Sequence, residues 1–142
     1  MRIVDVNLLL YAVDRESPFH AQAKDWLEEC LSGEEILGFA WNVIVAFLRL
    51  TTRSGLPRRP LSMATAFDLA AAWLEHPNAV VVGPGPRHLA IMRALLAPLG
   101  TAGNLTSDAH LAALAIEQNA ELCSCDNDFS RFSGLRWRNP LA

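Results

Sequence analysis

Asp5, Asp108 and Asp126 are spread over most of a 142-residue chain, yet each sits where a folding pattern would carry it to one place. Ile3-Val4 reads as a short buried strand ending in Asp5, and Leu122 to Cys125 as a later strand closed by Asp126. Asp108 falls in the first turn of the helix that enters that later strand. A helix packed antiparallel to its strand starts at the edge where the strand ends, so the three carboxylates converge outside the carboxyl ends of the sheet. Asp128, two residues beyond Asp126, can swing in as a fourth. Converging carboxylates repel one another unless a cation neutralises them, and an oxygen-only donor set suits Mg²⁺ or Mn²⁺. The chemistry such a site offers is metal-assisted phosphodiester hydrolysis. Taken singly, each acid also has a plainer account. Asp108 complements a helix dipole, and Asp126 in Asp126-Asn127-Asp128 forms an Asx-turn.

Other chemistries fit the sequence less well. Lys24 is the only lysine and lies on the polar face of an amphipathic helix, which leaves a phosphoacceptor aspartate without its usual cation. His20, His76, His88 and His110 show no metal-ligand spacing; His110, two residues after Asp108, is read first as a packing residue and second as a substrate contact. Cys30, Cys123 and Cys125 are odd in number and fit neither a disulfide framework nor a zinc knuckle, so small buried thiols are expected. Gly83-Pro84-Gly85-Pro86 lacks the amide donors of a phosphate cradle and reads as a rigid turn.

The elements that must position the acids alternate. After the first strand, Asn7 is expected to cap a helical turn over Leu8 to Ala12, and Ser17-Pro18 to start a helix that stops at Ser32-Gly33. A strand over Ile36 to Ala40 leads into a helix over Trp41 to Thr52 that is apolar nearly all round. Gly55 to Pro60 is a loop, and Ser62 to Glu75 a helix with Met63, Phe67, Ala70, Ala71 and Leu74 on one side. A strand over Ala79 to Val82 follows, then helices over Arg87 to Leu99 and from a Thr106 or Ser107 cap to Gln118, the strand ending at Cys125, and a fifth strand over Leu135 to Arg138. Strands alternating with helices imply a three-layer α/β/α sandwich around a mainly parallel sheet of four to five strands, in one domain spanning 1–142.

Composition sets the limits. Apolar residues make up 51% and charged residues 19%, which excludes a disordered chain. The apolar stretch from Leu8 to Val13 is too short for a signal segment or a membrane span, so a cytoplasmic protein is expected. A net charge of −3 argues against general coating of a polyanion. The charge is unevenly placed, however. Eight acids fall in the first thirty-five residues, whereas residues 36–67 contain none and carry Arg49, Arg53, Arg58 and Arg59. These arginines are candidate contacts to an RNA backbone, with a solubilising cluster as the alternative.

With those residues in view, the sequence resembles the PIN-domain ribonucleases, and among them the VapC toxins of bacterial toxin–antitoxin pairs. Asp5-Val6-Asn7-Leu8-Leu9-Leu10-Tyr11-Ala12 is similar to the opening acidic motif, with Val6 in place of the more usual small hydroxyl residue. Ser107-Asp108-Ala109-His110-Leu111-Ala112-Ala113-Leu114-Ala115 resembles the third motif, and Cys125-Asp126-Asn127-Asp128-Phe129 the fourth, followed by Phe132-Ser133-Gly134-Leu135. One departure stands out: the family's second acid is a glutamate, and here Ala46-Phe47-Leu48-Arg49 occupies that stretch. The resemblance implies an Mg²⁺-dependent endoribonuclease acting on RNA such as tRNA or rRNA, held inactive by a VapB-type antitoxin and pairing as a homodimer. It assigns Asp5, Asp108 and Asp126 as metal ligands and catalytic acids, with Asp128 as a further ligand. Two rivals remain. Ala46 suggests a catalytically weakened scaffold that binds antitoxin or RNA, and the wider family suggests a nuclease acting on DNA.

Overall fold

A computed structural model describes residues 1–54 and 59–142. Five strands form one sheet in the order β3-β2-β1-β4-β5, every neighbouring pair parallel. They are β1 (Arg2–Val4), β2 (Leu37–Ala40), β3 (Ala79–Val82), β4 (Glu121–Cys123) and β5 (Trp137–Arg138). The helices are α1 (Val6–Val13), α2 (His20–Ser32), α3 (Trp41–Thr52), α4 (Met63–Leu74), α5 (His88–Leu96) and α6 (Thr106–Glu117). The chain winds outward from β1 through β2 to β3, then returns to place β4 on the other side of β1. The winding reverses between β1 and β4, the position at which open parallel sheets bind their ligands.

Short apolar runs account for the centre of the sheet. Ile3, Val4 and Leu122 are completely buried, and Leu37, Phe39 and Cys123 nearly so, because helices cover both faces. Gly38 sits where a side chain would crowd Ile3 and Val82, at 3.1 and 3.2 Å, so the tight fit of β2 between its neighbours needs a glycine. The acid-free α3 starts directly from β2. It buries Val43, Ile44, Phe47 and Thr51, and the buried Thr51 hydroxyl donates to the Phe47 carbonyl at 2.7 Å.

Several element ends differ from the sequence reading for local reasons. Asp5, not Asn7, caps α1, and Asn7 lies within the helix. Phe19 occupies the cap position of α2, while the Ser17 hydroxyl accepts from the Phe19 N–H at 3.1 Å in the turn before it. Gly33 ends α2 in extended backbone at φ −83°, so what favours glycine there is space, with the Glu29 carbonyl 3.2 Å from a would-be Cβ. Leu105 takes the cap position of α6, and Thr106 instead donates from its hydroxyl to the Gly103 carbonyl at 2.8 Å.

The largest correction concerns α4. Ser62 caps it, accepting from the Thr65 N–H at 3.1 Å. Its inner face, however, is built from Ala66 and Ala70, with Trp73 packed edge-on against Phe47 at 4.8 Å. Small residues let the helix approach closely, which turns Met63, Phe67 and Ala71 outward. The turn at Gly83 to Pro86 is fastened from α6: the Gly85 and Arg87 amides donate to the Glu117 carboxylate at 2.7 and 3.0 Å and hold its pKa down. Neither amide of that pair is left for a phosphate, and the reason is the Glu117 carboxylate rather than a lack of donors. Among the described residues no helix is long and apolar enough to cross a membrane.

Candidate active site

Asp5 does two jobs at the end of β1. One carboxylate oxygen accepts the Val6 N–H at 2.7 Å and starts α1. The other accepts the Ser124 hydroxyl at 2.7 Å and the Asn7 amide at 3.3 Å. Burial pushes the Asp5 carboxyl above its ordinary value; the bonds from Ser124 and Val6 oppose this, and the charge of Asp126 adds to it.

Ser124 is fully buried and accepts in its turn from the Asn7 amide and the Asp126 N–H, both at 3.0 Å. Asn7 completes the link, its oxygen accepting the Cys125 N–H at 3.2 Å. The Trp137 indole anchors the same loop from β5, donating to the Ser124 carbonyl at 3.0 Å. This network joins the exits of β1 and β4 across the reversal point. It forms where β4 ends at Cys123, two residues earlier than its apolar run suggests: the Ser124 N–H still donates to the Arg138 carbonyl of β5 at 3.1 Å, while its hydroxyl turns to Asp5.

Asp126 therefore lies beyond the strand end and caps a short 3₁₀ turn over Asn127–Arg131. One of its oxygens accepts the Asp128 N–H at 2.9 Å, so the Asx-turn proposed as the plain account does form. That turn brings Asp128 alongside. Carboxylate oxygens of Asp108, Asp126 and Asp128 lie within 4.8 Å of one another, with Asp108 supplied by the first turn of α6. Asp5 is not part of this trio, yet its charge reaches Asp108. Among the described residues no donor bonds to the Asp108 carboxylate. Burial, then Asp126, Asp5 and Asp128, push it up to about 6.

The sequence candidates thus separate. Asp108, Asp126 and Asp128 come together, with Asp5 linked to their loop through Ser124. Arg49, Arg53 and Arg59 are exposed and make no ion pair among the described residues, and Arg58 lies outside the described residues. Lys24 is occupied by Glu28 at 2.8 Å. His110 faces His88, with Nδ1 to Nε2 at 2.7 Å, and burial and that neighbour hold its pKa down. The three cysteines are free, Cys30 and Cys123 being buried. Sequence reasoning missed Ser124 and the bridging role of Asn7. The available signal was a polar residue two positions from each of Asp5 and Asp126.

Residues 2–135 match the PIN domain, so the chain belongs to the PIN-domain family. Within it, the branch is that of the VapC ribonucleases. Ribonuclease VapC37 of Mycobacterium tuberculosis is 49% identical over 142 residues, covering 100% of this chain and 99% of the relative. Ribonuclease VapC33 of the same species is 43% identical over 141 residues, covering 99% of each. The fold recurs in solved structures at low identity. One is VapBC2 from Rickettsia felis bound to a promoter DNA fragment, with a TM-score of 0.72 and 17% identity over 97% of both chains. Another is VapBC-1 from nontypeable Haemophilus influenzae, with a TM-score of 0.70 and 16% identity over 99% and 98% of the two chains.

Proposed function

We propose that the chain is the toxin of a type II toxin–antitoxin pair, a cytoplasmic, divalent-metal-dependent endoribonuclease whose partner is a VapB-type antitoxin. The observation that carries this reading is the meeting of Asp108, Asp126 and Asp128 within 4.8 Å, with Asp5 acting on Asp108 by charge and, among the described residues, no cationic side chain bonded to them. The donor set fits Mg²⁺ or Mn²⁺, being all carboxylate oxygen with no sulfur or imidazole. Asp5, Asp108 and Asp126 would hold the ion, and Asp128 would act as a ligand or an outer partner. When bound, such an ion polarises a phosphate oxygen and lowers the pKa of a coordinated water.

The chain's own contribution is positional. Ser124 and Asn7 fix one Asp5 oxygen, and the Asx-turn uses one Asp126 oxygen to shape the loop that brings Asp128 alongside. Asp126 is then available to orient a water or take its proton. Arg49, Arg53, Arg58 and Arg59 would grip the RNA backbone. An apolar groove between α1, α2 and α4, lined by Ala12, Val13, Leu27, Leu31, Leu69 and Trp73, supports a protein partner such as the antitoxin, and the outward face of α4 supports a homodimer.

The weakened-scaffold alternative is not favoured, because relatives matched along essentially the whole chain carry ribonuclease names. Ala46 still removes one negative ligand and should lower metal affinity. The test is incubation of the protein with tRNA, rRNA and single-stranded DNA in Mg²⁺, in Mn²⁺ and in chelator, beside Asp5→Asn. Metal-dependent RNA cleavage lost in the variant is expected. Cleavage that survives chelation or Asp5→Asn would overturn the assignment, and cutting of DNA alone would redirect it.

A further inference from the structure

We infer that Trp41 is a stacking platform for a nucleobase of the RNA chain held at the carboxylate site; the inference rests on the ribonuclease reading. Of the four tryptophans, Trp26, Trp73 and Trp137 are half-buried, and the last two are committed to ring packing and a hydrogen bond. Trp41 is 60% exposed, and among the described residues no ring packs against it. An indole left in water is an expensive surface group, and one beside a catalytic edge calls for a ligand.

The sheet register puts it there. Arg2 pairs with Leu37 and Ile3 with Gly38 in parallel register, and Asp5 and Trp41 are the residues that directly follow the ends of these neighbouring strands. Trp41 is at the first turn of α3. It therefore lies at the carboxyl edge of the sheet on the β2 side of β1, and Asp126 and Asp128 lie at the same edge on the β4 side.

Charge decides what kind of ligand this face accepts. Val45 and Arg49 follow Trp41 at four-residue intervals and Arg53 caps the far end of α3, so an exposed strip runs from the indole toward two guanidinium groups that make no ion pair among the described residues. Trp41 and Arg49 are separated by roughly 12 Å along the helix axis. No acid occurs between residues 36 and 67. The first turn of α3 has no side-chain cap, which leaves amide donors open beside the indole. An aromatic face joined to positive charge and free amides is the combination that tracks a single nucleic-acid strand, with base on ring and phosphate on cation. A second copy of this chain would bring the same positive strip against itself, which the charge disfavours.

The experiment uses the whole protein and a single-stranded RNA oligonucleotide of mixed sequence, with chelator present so that the strand stays intact. Trp41→Ala should weaken binding roughly tenfold, and Trp41→Phe should keep most of it. The loss should vanish on an abasic ribose-phosphate oligomer, where only the backbone is left to grip. RNA should quench tryptophan fluorescence in the wild type and do so much less in Trp41→Ala. With metal restored, KM should rise while kcat changes little. Wild-type affinity and KM in Trp41→Ala, while the parent still cuts RNA, would overturn the platform and leave the ribonuclease standing. A shift of Trp41→Ala from dimer to monomer with RNA affinity intact would assign the face to a second copy and overturn it too. Quenching by RNA in a parent that cuts none would support the platform and strike the activity.

Discussion

The two sides of the acidic crevice are built on opposite principles. On the β1 side, Asp5 is surrounded by donors from Val6, Ser124 and Asn7, which offset part of the burial that pushes its carboxyl up. On the α6 side, Asp108 has no donor among the described residues and faces other carboxylates, so its charge is opposed by its surroundings. A buried carboxylate with good hydrogen bonds stabilises the loops it joins, whereas one crowded by like charges destabilises them until something positive arrives. The first side fixes where a cation goes, and the second supplies the demand for it.

Exchanging either acid for its amide should expose that contrast. Asp5→Asn and Asp108→Asn should each lower RNA cleavage by more than about a hundredfold, because both lose a charged ligand. Their stabilities should diverge. Asp5→Asn should lower the melting temperature of the metal-free protein, since an amide cannot accept at both positions. Asp108→Asn should raise it by removing repulsion. Equal losses of stability in a thermal melt would collapse the distinction between the two sides. Ser124→Ala comes next in size: it strands the Asp5 oxygen and the Asp126 N–H in a buried network, for about 1–3 kcal/mol of stability. It should also cost roughly 10–100-fold in metal affinity, measured by titration calorimetry.

The same contrast explains what was readable before the structure. Asp5, Asp108 and Asp126 were legible because each adjoins an apolar run whose period and order specify a parallel α/β sheet, and α3 was bounded correctly at Trp41 and Thr52. Ser124 was not, because its role depends on β4 ending before its apolar run does, a matter of pairing with β1 and β5 that no local pattern carries. Asn7 was misread as a cap because Asp5 competes for that role and wins on position. The inner face of α4 was misread because burial followed the small residues Ala66 and Ala70, and tertiary approach outweighed hydrophobicity.

Proton and cation compete at Asp108, which gives a pH test of the α6 side. Its carboxyl is held at about 6 in the folded chain against an ordinary 3.8, so the folded state keeps a proton that the unfolded state gives up earlier. The stability tied to that proton is fully present below the ordinary value and is lost as pH rises through about 6. A divalent ion replaces the proton. Mn²⁺ should therefore raise the melting temperature more at about pH 7.5 than at about pH 5, and Asp108→Asn should flatten that difference. An increment that does not depend on pH would place the ion away from Asp108.

The smallest effect concerns the arginines, which lie outside the acidic crevice and act by charge alone. If Arg49 and Arg53 grip phosphates, each alanine substitution should weaken RNA binding by a similar factor for every RNA sequence and lessen the slope of log affinity against log salt by about 0.7. Cleavage by the bound complex should be unchanged, because neither residue belongs to the carboxylate cluster. Such a pattern would divide the protein into a crevice that sets the rate and a positive strip that sets occupancy. That division also explains how a chain with a net charge of −3 can act on a polyanion: its acids gather at the carboxylate cluster and in the first thirty-five residues, and the stretch from 36 to 67 has none. An unchanged salt slope in the double variant would move the backbone contacts off α3.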